Sequence, residues 1–124
     1  METTRGESGD RPYNIREQLV TFATAVASVA EKLQRRGAVE SALCAQLASA
    51  ASGAAANAEE ADDASSKRDF IAKERIALRE VKEARARLRI LRGSNLLDPT
   101  HDDLLRESHE LVKILSTIVK RAGG

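Results

Sequence analysis

Apolar residues recur at alternating intervals of four and three positions through most of this chain. In the first segment the positions are Ile15, Leu19, Phe22, Val26, Val29 and Leu33. Residues at this spacing lie on one side of an α-helix, so the pattern predicts a helix that buries a single apolar stripe. Asn14 is a candidate N-cap and Gly37 a candidate helix terminator, which places the predicted first helix at 15–36.

The same spacing continues in three further segments that short polar links separate. Its positions are Leu43, Leu47, Ala50, Ala54, Asn57, Ala61 and Ala64, then Phe70, Glu74, Ala77, Val81, Ala84, Leu88 and Leu91, then Leu104, Ser108, Leu111, Leu115 and Ile118. Ser66 followed by Asp69 resembles a capping box, and Asp98 before Pro99 is a strong helix-start signal. Three more helices are therefore predicted, at 38–64, 67–92 and 99–121.

Four long helices with short links favour one architecture. Short links make neighbouring helices antiparallel. The sequence thus predicts an all-α, antiparallel, up-down-up-down four-helix bundle over residues 14–122. Residues 1–13 mix charges with Gly, Ser and Thr and show no periodicity, which predicts a disordered N-terminal tail.

Composition limits the location and the partners of such a bundle. There are 20 Lys and Arg residues against 19 Asp and Glu, so the bulk charge predicts neither a nucleic-acid nor a membrane partner. The single cysteine, Cys44, excludes an internal disulfide and a multi-cysteine zinc site, which suits a reducing cytosol. Residues 1–13 lack the apolar run of a secretion signal, and the charge-free stretch 41–58 is too weakly apolar for lipid. We therefore expect a cytoplasmic protein with no membrane partner.

Charge is sorted along the chain rather than spread evenly. From 38 to 64 the charged residues are all acidic, whereas 67–92 holds ten basic residues against four acidic ones. An acidic helix beside a basic helix is partly self-complementary. We expect this pairing to fix which helices are neighbours, or to join subunits.

A basic stripe on the third helix is the candidate binding surface. Its members recur at near-helical spacing and are Arg75, Arg79, Lys82, Arg85, Arg89 and Arg92. Cations along one side of a helix can neutralise phosphates, so the stripe is a candidate nucleic-acid-binding surface. The default interpretation is a solvated face held by salt bridges, since no aromatic residue interleaves with the stripe to stack bases.

Polar residues at core spacing form a second candidate set, with a structural role. Asn57 occupies a predicted core position and Glu60 follows one turn later; a buried Asn there would set register and oligomer state, with a ligand site as the minority alternative. Di-iron bundles need Glu-x-x-His motifs, which this chain lacks, so Glu80 and Glu83 are expected to form interhelical or intersubunit ion pairs. We predict no catalytic residue, no metal and no cofactor, and a packing role for Cys44.

Several segments taken together resemble a known family. The matching residues are QLASAASGAAANAEEA at 46–61, SKRDFIAK at 66–73, IALRE at 76–80, Glu83-Ala84 and ESHELV at 107–112. They are similar to the bacterial four-helix-bundle proteins named for reading frames in the intervening sequences of large-subunit ribosomal RNA genes. The resemblance implies a homo-oligomer, typically a pentamer of bundles. A related branch, the accessory variability determinant of diversity-generating retroelements, implies nucleic-acid binding and assistance to a reverse transcriptase.

The sequence therefore predicts a non-enzymatic homo-oligomer that serves as a scaffold or binds a macromolecular partner. The alternative is a nucleic-acid-binding accessory factor to a reverse transcriptase, which would use the basic stripe. A metal-dependent bundle enzyme ranks last, because the required ligand set is missing.

Overall fold

The computed structural model describes residues 11–123, and within them the chain forms four long α-helices. They are α1 (Arg11–Leu33), α2 (Ala38–Asp62), α3 (Lys67–Gly93) and α4 (Asp102–Arg121). Two short 3-10 helices, Gln34–Arg36 and Pro99–His101, follow α1 and precede α4. No strand occurs between residues 11 and 123, and the predicted all-α class is confirmed.

The start of α1 differs from the predicted start. The helix begins at Arg11 rather than Ile15, so Asn14 lies inside the helix and the prediction that it is the cap is wrong. Pro12 allows this early start, because an N–H in the first helical turn has no intrahelical partner to lose. Of the predicted disordered tail, residues 1–10 lie outside the described residues and 11–13 are helical.

Two of the predicted helix starts carry side-chain caps. The Oγ of Ser66 accepts a 3.1 Å hydrogen bond from the backbone N–H of Asp69 at the start of α3. The Oδ1 of Asp98 accepts a hydrogen bond from the backbone N–H of Thr100 at 2.9 Å. Bonds from the hydroxyl and then the backbone of Thr100 lower the pKa of Asp98. Asp98 opens the 3-10 turn, and α4 itself begins at Asp102.

The four helices form a closed ring. Each packs against its neighbours in sequence, α2 and α3 most extensively, and α1 also packs against α4. Short links make consecutive helices antiparallel, so the predicted up-down-up-down bundle is confirmed. None of the helices within residues 11–123 combines the length and the apolar character needed to span a bilayer.

One apolar core fills the centre of the ring. Each helix contributes a fully buried large side chain, for example Phe22, Leu47, Leu88 and Leu115. Truncating such a buried side chain to alanine generally costs about 2–5 kcal/mol of folding free energy. These side chains therefore hold the four helices at fixed positions, and the outer faces are left for recognition.

The core stripe of α2 differs by one position from the predicted stripe at several turns. The buried line runs through Cys44, Leu47, Ala51, Ala54, Ala58 and Ala61, with Ala50 buried beside it. Asn57 is only half-buried, so the prediction that it occupies a core position is wrong. Alanine occurs on nearly every side of α2, and its small hydrophobic contrast does not distinguish one column of the helix from the next.

Candidate functional site

The six cations of the predicted stripe lie on one outer side of α3. Arg75, Arg79, Lys82 and Arg89 are exposed, and Arg85 and Arg92 are half-buried. The Nε of Arg92 donates a 2.8 Å hydrogen bond to Oδ1 of Asp102 on α4. The other five stripe cations form no ion pair with any carboxylate in residues 11–123. The expected salt-bridged face is therefore limited to one bridge.

Contacts with neighbouring helices show which side of α3 the stripe occupies. Lys73 faces α2, because its Nζ lies 2.7 Å from Oε1 of Glu60. Glu80, seven residues after Lys73, also lies against α2. Arg92 faces the opposite way, towards Asp102 of α4. The basic stripe consequently lies on the α4 side of α3, away from the acidic helix.

The expected charge pairing between α2 and α3 amounts to a single contact. Lys73 and Glu60 form the one ion pair between these two helices in the described part of the chain. Arg16 of α1 lies 3.4 Å from Glu59 and 3.3 Å from Asp62. Because α1 takes up these two carboxylates, the acidic end of α2 leaves the cations of the stripe unneutralised.

The four residues with a predicted role in register lie at or near the α2–α3 contact. The Nδ2 of Asn57 donates a 2.8 Å hydrogen bond to the backbone carbonyl of Gly53, one turn back in the same helix. Glu60 is exposed, as is Glu83, and Glu80 is half-buried. Burial first, and then the charge and hydrogen bond of Glu83, raise the pKa of Glu80. The structure thus brings Glu80 and Glu83 together, and their influence on oligomer state stays a prediction.

A glycine on α2 makes room for the carboxylate of Glu80. A Cβ atom placed on Gly53 would overlap the Glu80 side chain. The absence of a side chain at Gly53 therefore lets α3 bring a carboxylate against the backbone of α2.

The outer face of α2 is exposed and uncharged. Its residues are Ala42, Ala45, Gln46, Ser49, Ser52 and Ala56, which we term the neutral face. It lies within the charge-free stretch 41–58, which is about 27 Å long at 1.5 Å per residue. The outer side of a bundle helix usually carries charged residues. A small-residue face of this length allows a second chain to approach the helix closely.

Glu74 is a buried carboxyl that the sequence marked only as a member of the core stripe of α3. It is 4% exposed, and its Oε1 has no hydrogen-bond partner among the described residues. Burial raises the pKa of Glu74 to about 7, opposed by the nearby charge of Arg16 and assisted by that of Asp62. The signal that could have identified it is a carboxylate at an otherwise apolar heptad position.

The remaining chemistry-bearing side chains do not converge. Cys44 is buried in the core, where burial and then the charge of Glu40 raise the pKa of its thiol. Between residues 11 and 123, no cluster of three His, Cys, Asp or Glu side chains could hold a metal ion. Sequence reasoning passed over the cations of α4, namely Arg106, Lys113 and Lys120, whose spacing of seven was the available signal.

The bundle and its surface pattern can be compared with known proteins. The family model of the 23S rRNA-intervening sequence protein matches residues 11–117. The chain belongs to this family. None of the curated proteins matches this intervening sequence protein. Among solved structures, it is similar to a protein of unknown function from the S23 ribosomal protein family of Bacteroides thetaiotaomicron. The two share 25% identity with a TM-score of 0.81, over 89% of this chain and 98% of that chain.

The match confirms the family that the sequence resembled. It covers α1, α2, α3 and most of α4 of this intervening sequence protein. The relation to the retroelement branch stays a prediction.

Proposed function

We propose that this member of the 23S rRNA-intervening sequence protein family is a non-enzymatic interaction protein that assembles into a homo-oligomer. The neutral face of α2 is the observation that carries the proposal. Apolar side chains such as Leu47, Leu88 and Leu111 fill the space where bundle enzymes place their ligands, so recognition falls to the outer faces.

The small residues of the neutral face continue onto α1. Ala27 and Ala30 of α1 border a groove with Ala45 and Ala48 of α2, and Glu31, which pairs with Arg35, also lines this groove. Val20 lies two turns before Ala27 on the same side of α1 and is 47% exposed. Small residues flanked by an exposed aliphatic side chain fit a close, apolar helix contact. A second copy of this chain is the occupant we propose, and the family resemblance makes a pentamer the expected size.

Light scattering tests the assembly through one added charge. We expect the unmodified protein to have a mass near five times the 13.4 kDa of one chain. Ser49→Arg puts a charge in the centre of the neutral face and should shift the mass towards one chain. Thr117→Arg makes the same change in charge at an exposed position of α4 and should leave the mass unchanged. A monomeric unmodified protein, or an unchanged Ser49→Arg mass, contradicts the proposal.

Nucleic-acid binding is the second candidate function, and the unneutralised stripe of α3 favours it. Five of its six cations have no acidic partner in residues 11–123. A net charge of only +1 conceals this surface, because the acidic residues at the end of α2 lie against α1 and Lys73. Assistance to a reverse transcriptase is the process that the resemblance suggests. The cytoplasmic location stays a prediction.

Filter binding at low salt tests the second candidate. Replacing Arg75, Arg79 and Lys82 together with Gln should weaken retention of labelled nucleic acid. A variant that loses Lys32, Arg35 and Arg36 has the same change in net charge on another part of the bundle and is the matched control. Equal binding by the two variants would rule out the stripe as the site.

A further inference from the structure

The cations of α4 form a column of their own. Arg106, Lys113 and Lys120 are exposed and follow one another at intervals of seven residues. Seven residues make nearly two helical turns, so these side chains lie on one side of α4, about 10.5 Å apart. We term this set the α4 column.

Two contacts at opposite ends of α4 show that this side adjoins α3. Asp102 accepts the hydrogen bond from Arg92 at one end. Just beyond the other end of α4, a Cβ placed on Gly123 would be 3.8 Å from Nζ of Lys67. Asp102, His109 and Ser116 recur every seven residues, and the last two are exposed, so this line of α4 lies at the outer edge of its contact with α3. Arg106 follows Asp102 by one turn, so the α4 column lies next to that line on the outer surface.

A matching column runs along the α4 side of α3. Arg68, Arg75, Lys82 and Arg89 also recur every seven residues and are exposed. We term this set the α3 column, which spans about 32 Å from Arg68 to Arg89. The end of the α3 column at Arg68 borders α4, because Arg68 and Arg75 line a groove of about 580 Å³ together with Ala122, which directly follows α4.

The antiparallel arrangement interleaves the two columns. Along the bundle axis, Arg92 of α3 lies at the height of Asp102, and Lys67 lies at the height of Gly123. These two contacts show which residues of α3 and α4 stand at the same height between the two ends. Each cation of the α4 column then falls between two cations of the α3 column. Packed helix axes are about 8–10 Å apart. The result is one surface with seven cations on two adjacent rods.

Few carboxylates reduce the charge of this surface. In the described chain Lys113 pairs with Glu110 at 3.2 Å, and both side chains are more than half exposed. Asp102 is paired with Arg92. Arg85, on the line of α3 next to α4, has a buried Nε without a hydrogen-bond partner among the described residues. The surface therefore stays strongly positive although the whole chain carries only +1.

From this arrangement we infer that the α3 and α4 columns form one binding surface for the phosphate backbone of a double-stranded nucleic acid. The inference rests on the second proposed function and adds the α4 column and the duplex form. Two parallel rows of cations complement the two lines of phosphates on either side of a groove. Single-strand surfaces normally combine cations with stacking aromatics, and neither α3 nor α4 exposes a Phe, Tyr or Trp, since Phe70 is half-buried and is their one residue of these types. Backbone contacts alone predict binding without sequence preference.

Fluorescence anisotropy with labelled 20-base-pair RNA and DNA duplexes tests the inference. The α4 variant replaces Arg106, Lys113 and Lys120 with Gln and should bind at least about tenfold more weakly in low salt. Each lost phosphate contact removes about 0.9 from the slope of log affinity against log salt, so the slope should fall by about 2–3. The variant that loses Lys32, Arg35 and Arg36 is the matched control, and its slope should stay that of the unmodified protein. A variant with Arg106→Lys, Lys113→Arg and Lys120→Arg keeps the charges and should keep the affinity.

The outcomes separate this inference from the proposed function. If the α4 variant binds like the control while the variant that loses Arg75, Arg79 and Lys82 fails to bind, nucleic-acid binding stands and the role of the α4 column is wrong. If the unmodified protein binds neither the duplexes nor single strands of the same length, both the inference and the second function are wrong, whereas binding to single strands alone overturns the inference and leaves the second function standing. Equal affinity for single strands of the same length overturns the duplex assignment. Displacement of the duplex by equimolar polyglutamate would show an unspecific polyanion surface and overturn it too.

Discussion

The guanidinium of Arg92 on α3 holds the carboxylate of Asp102 at the start of α4, with Nε and Oδ1 2.8 Å apart. This ion pair crosses the link between the two helices. The core packing fixes the helices, and this contact shows the level at which the cations of the α3 column and the α4 column interleave.

Asp102→Asn should lower the stability of the bundle slightly and raise its affinity for nucleic acid. Both side chains are about one-third exposed, and ion pairs of this kind contribute about 0.2–1 kcal/mol. We expect the free energy of unfolding in urea to fall by less than about 1 kcal/mol. Affinity for duplex RNA should rise, because the binding surface loses a carboxylate. Asp103→Asn removes the same charge one residue away and should leave both quantities nearly unchanged, whereas a binding loss in Asp102→Asn would argue against the surface.

Glu74 should make the bundle less stable as the pH rises. Its pKa of about 7 in the folded chain is above the ordinary value of 4.5, so the folded state holds the proton more tightly than the unfolded state. Stability is then unaffected below about pH 4.5, decreases between pH 4.5 and 7, and is lowest above pH 7. The full penalty is on the order of 3 kcal/mol.

Glu74→Gln removes this titration and should flatten the curve of unfolding free energy against pH. We expect the variant to be more stable than the unmodified protein at pH 8 and to match it near pH 4.5. Glu17→Gln, at an exposed position of α1, is the control and should keep the original pH dependence. Urea midpoints across this pH range decide the matter, and parallel curves for Glu74→Gln and the unmodified protein would be the contrary result.

The effect of Gly53→Ala on the stability of the bundle should depend on the side chain at position 80. Alanine within a helix is favoured over glycine by about 1 kcal/mol, but a Cβ on Gly53 would overlap the carboxylate of Glu80. In the unmodified background we expect little gain or a loss of stability. In a Glu80→Ala background the same change should stabilise by about 1 kcal/mol. Thermal or urea unfolding of the unmodified protein, the two single variants and the double variant gives the coupling free energy between positions 53 and 80. Additive effects would show that the two residues do not touch.

Ser66→Ala should destabilise the bundle through the start of α3. The Oγ of Ser66 accepts the N–H of Asp69, and loss of such a cap costs about 1 kcal/mol. Ser65→Ala, one residue earlier, makes the same chemical change outside the cap and should be nearly neutral. Equal losses in the two variants would mean that the hydrogen bond contributes nothing.

The fold was predictable where the chain alternates large apolar and charged residues. In α3 the predicted positions from Glu74 to Leu91 are buried, because few other columns of that helix could form a core. α2 lacks this contrast between large apolar and charged residues. The spacing therefore predicted a buried Asn57, whereas the buried residue at this turn is Ala58. The start of α1 was missed because Pro12 is compatible with a first helical turn as well as with a boundary.

The candidate surfaces were predictable only in part. Spacing identified the basic stripe of α3, since a single helix contains it. The α4 column has the same spacing, but its relation to α3 depends on tertiary contacts such as Arg92 with Asp102. The neutral face was visible as a charge-free stretch, yet which of its residues point outwards depends on the core register of an alanine-rich helix.

The rate of maleimide labelling at position 49 tests the assembly through α2 most directly. In a Cys44→Ala background, Ser49→Cys places the reactive thiol in the centre of the neutral face, which is exposed in one isolated chain. Our account predicts that this thiol reacts at least about tenfold more slowly in the oligomer than a Thr117→Cys thiol on α4, and that dilution to monomers removes the difference. Equal rates at the two positions, in a sample shown by light scattering to be oligomeric, would contradict it.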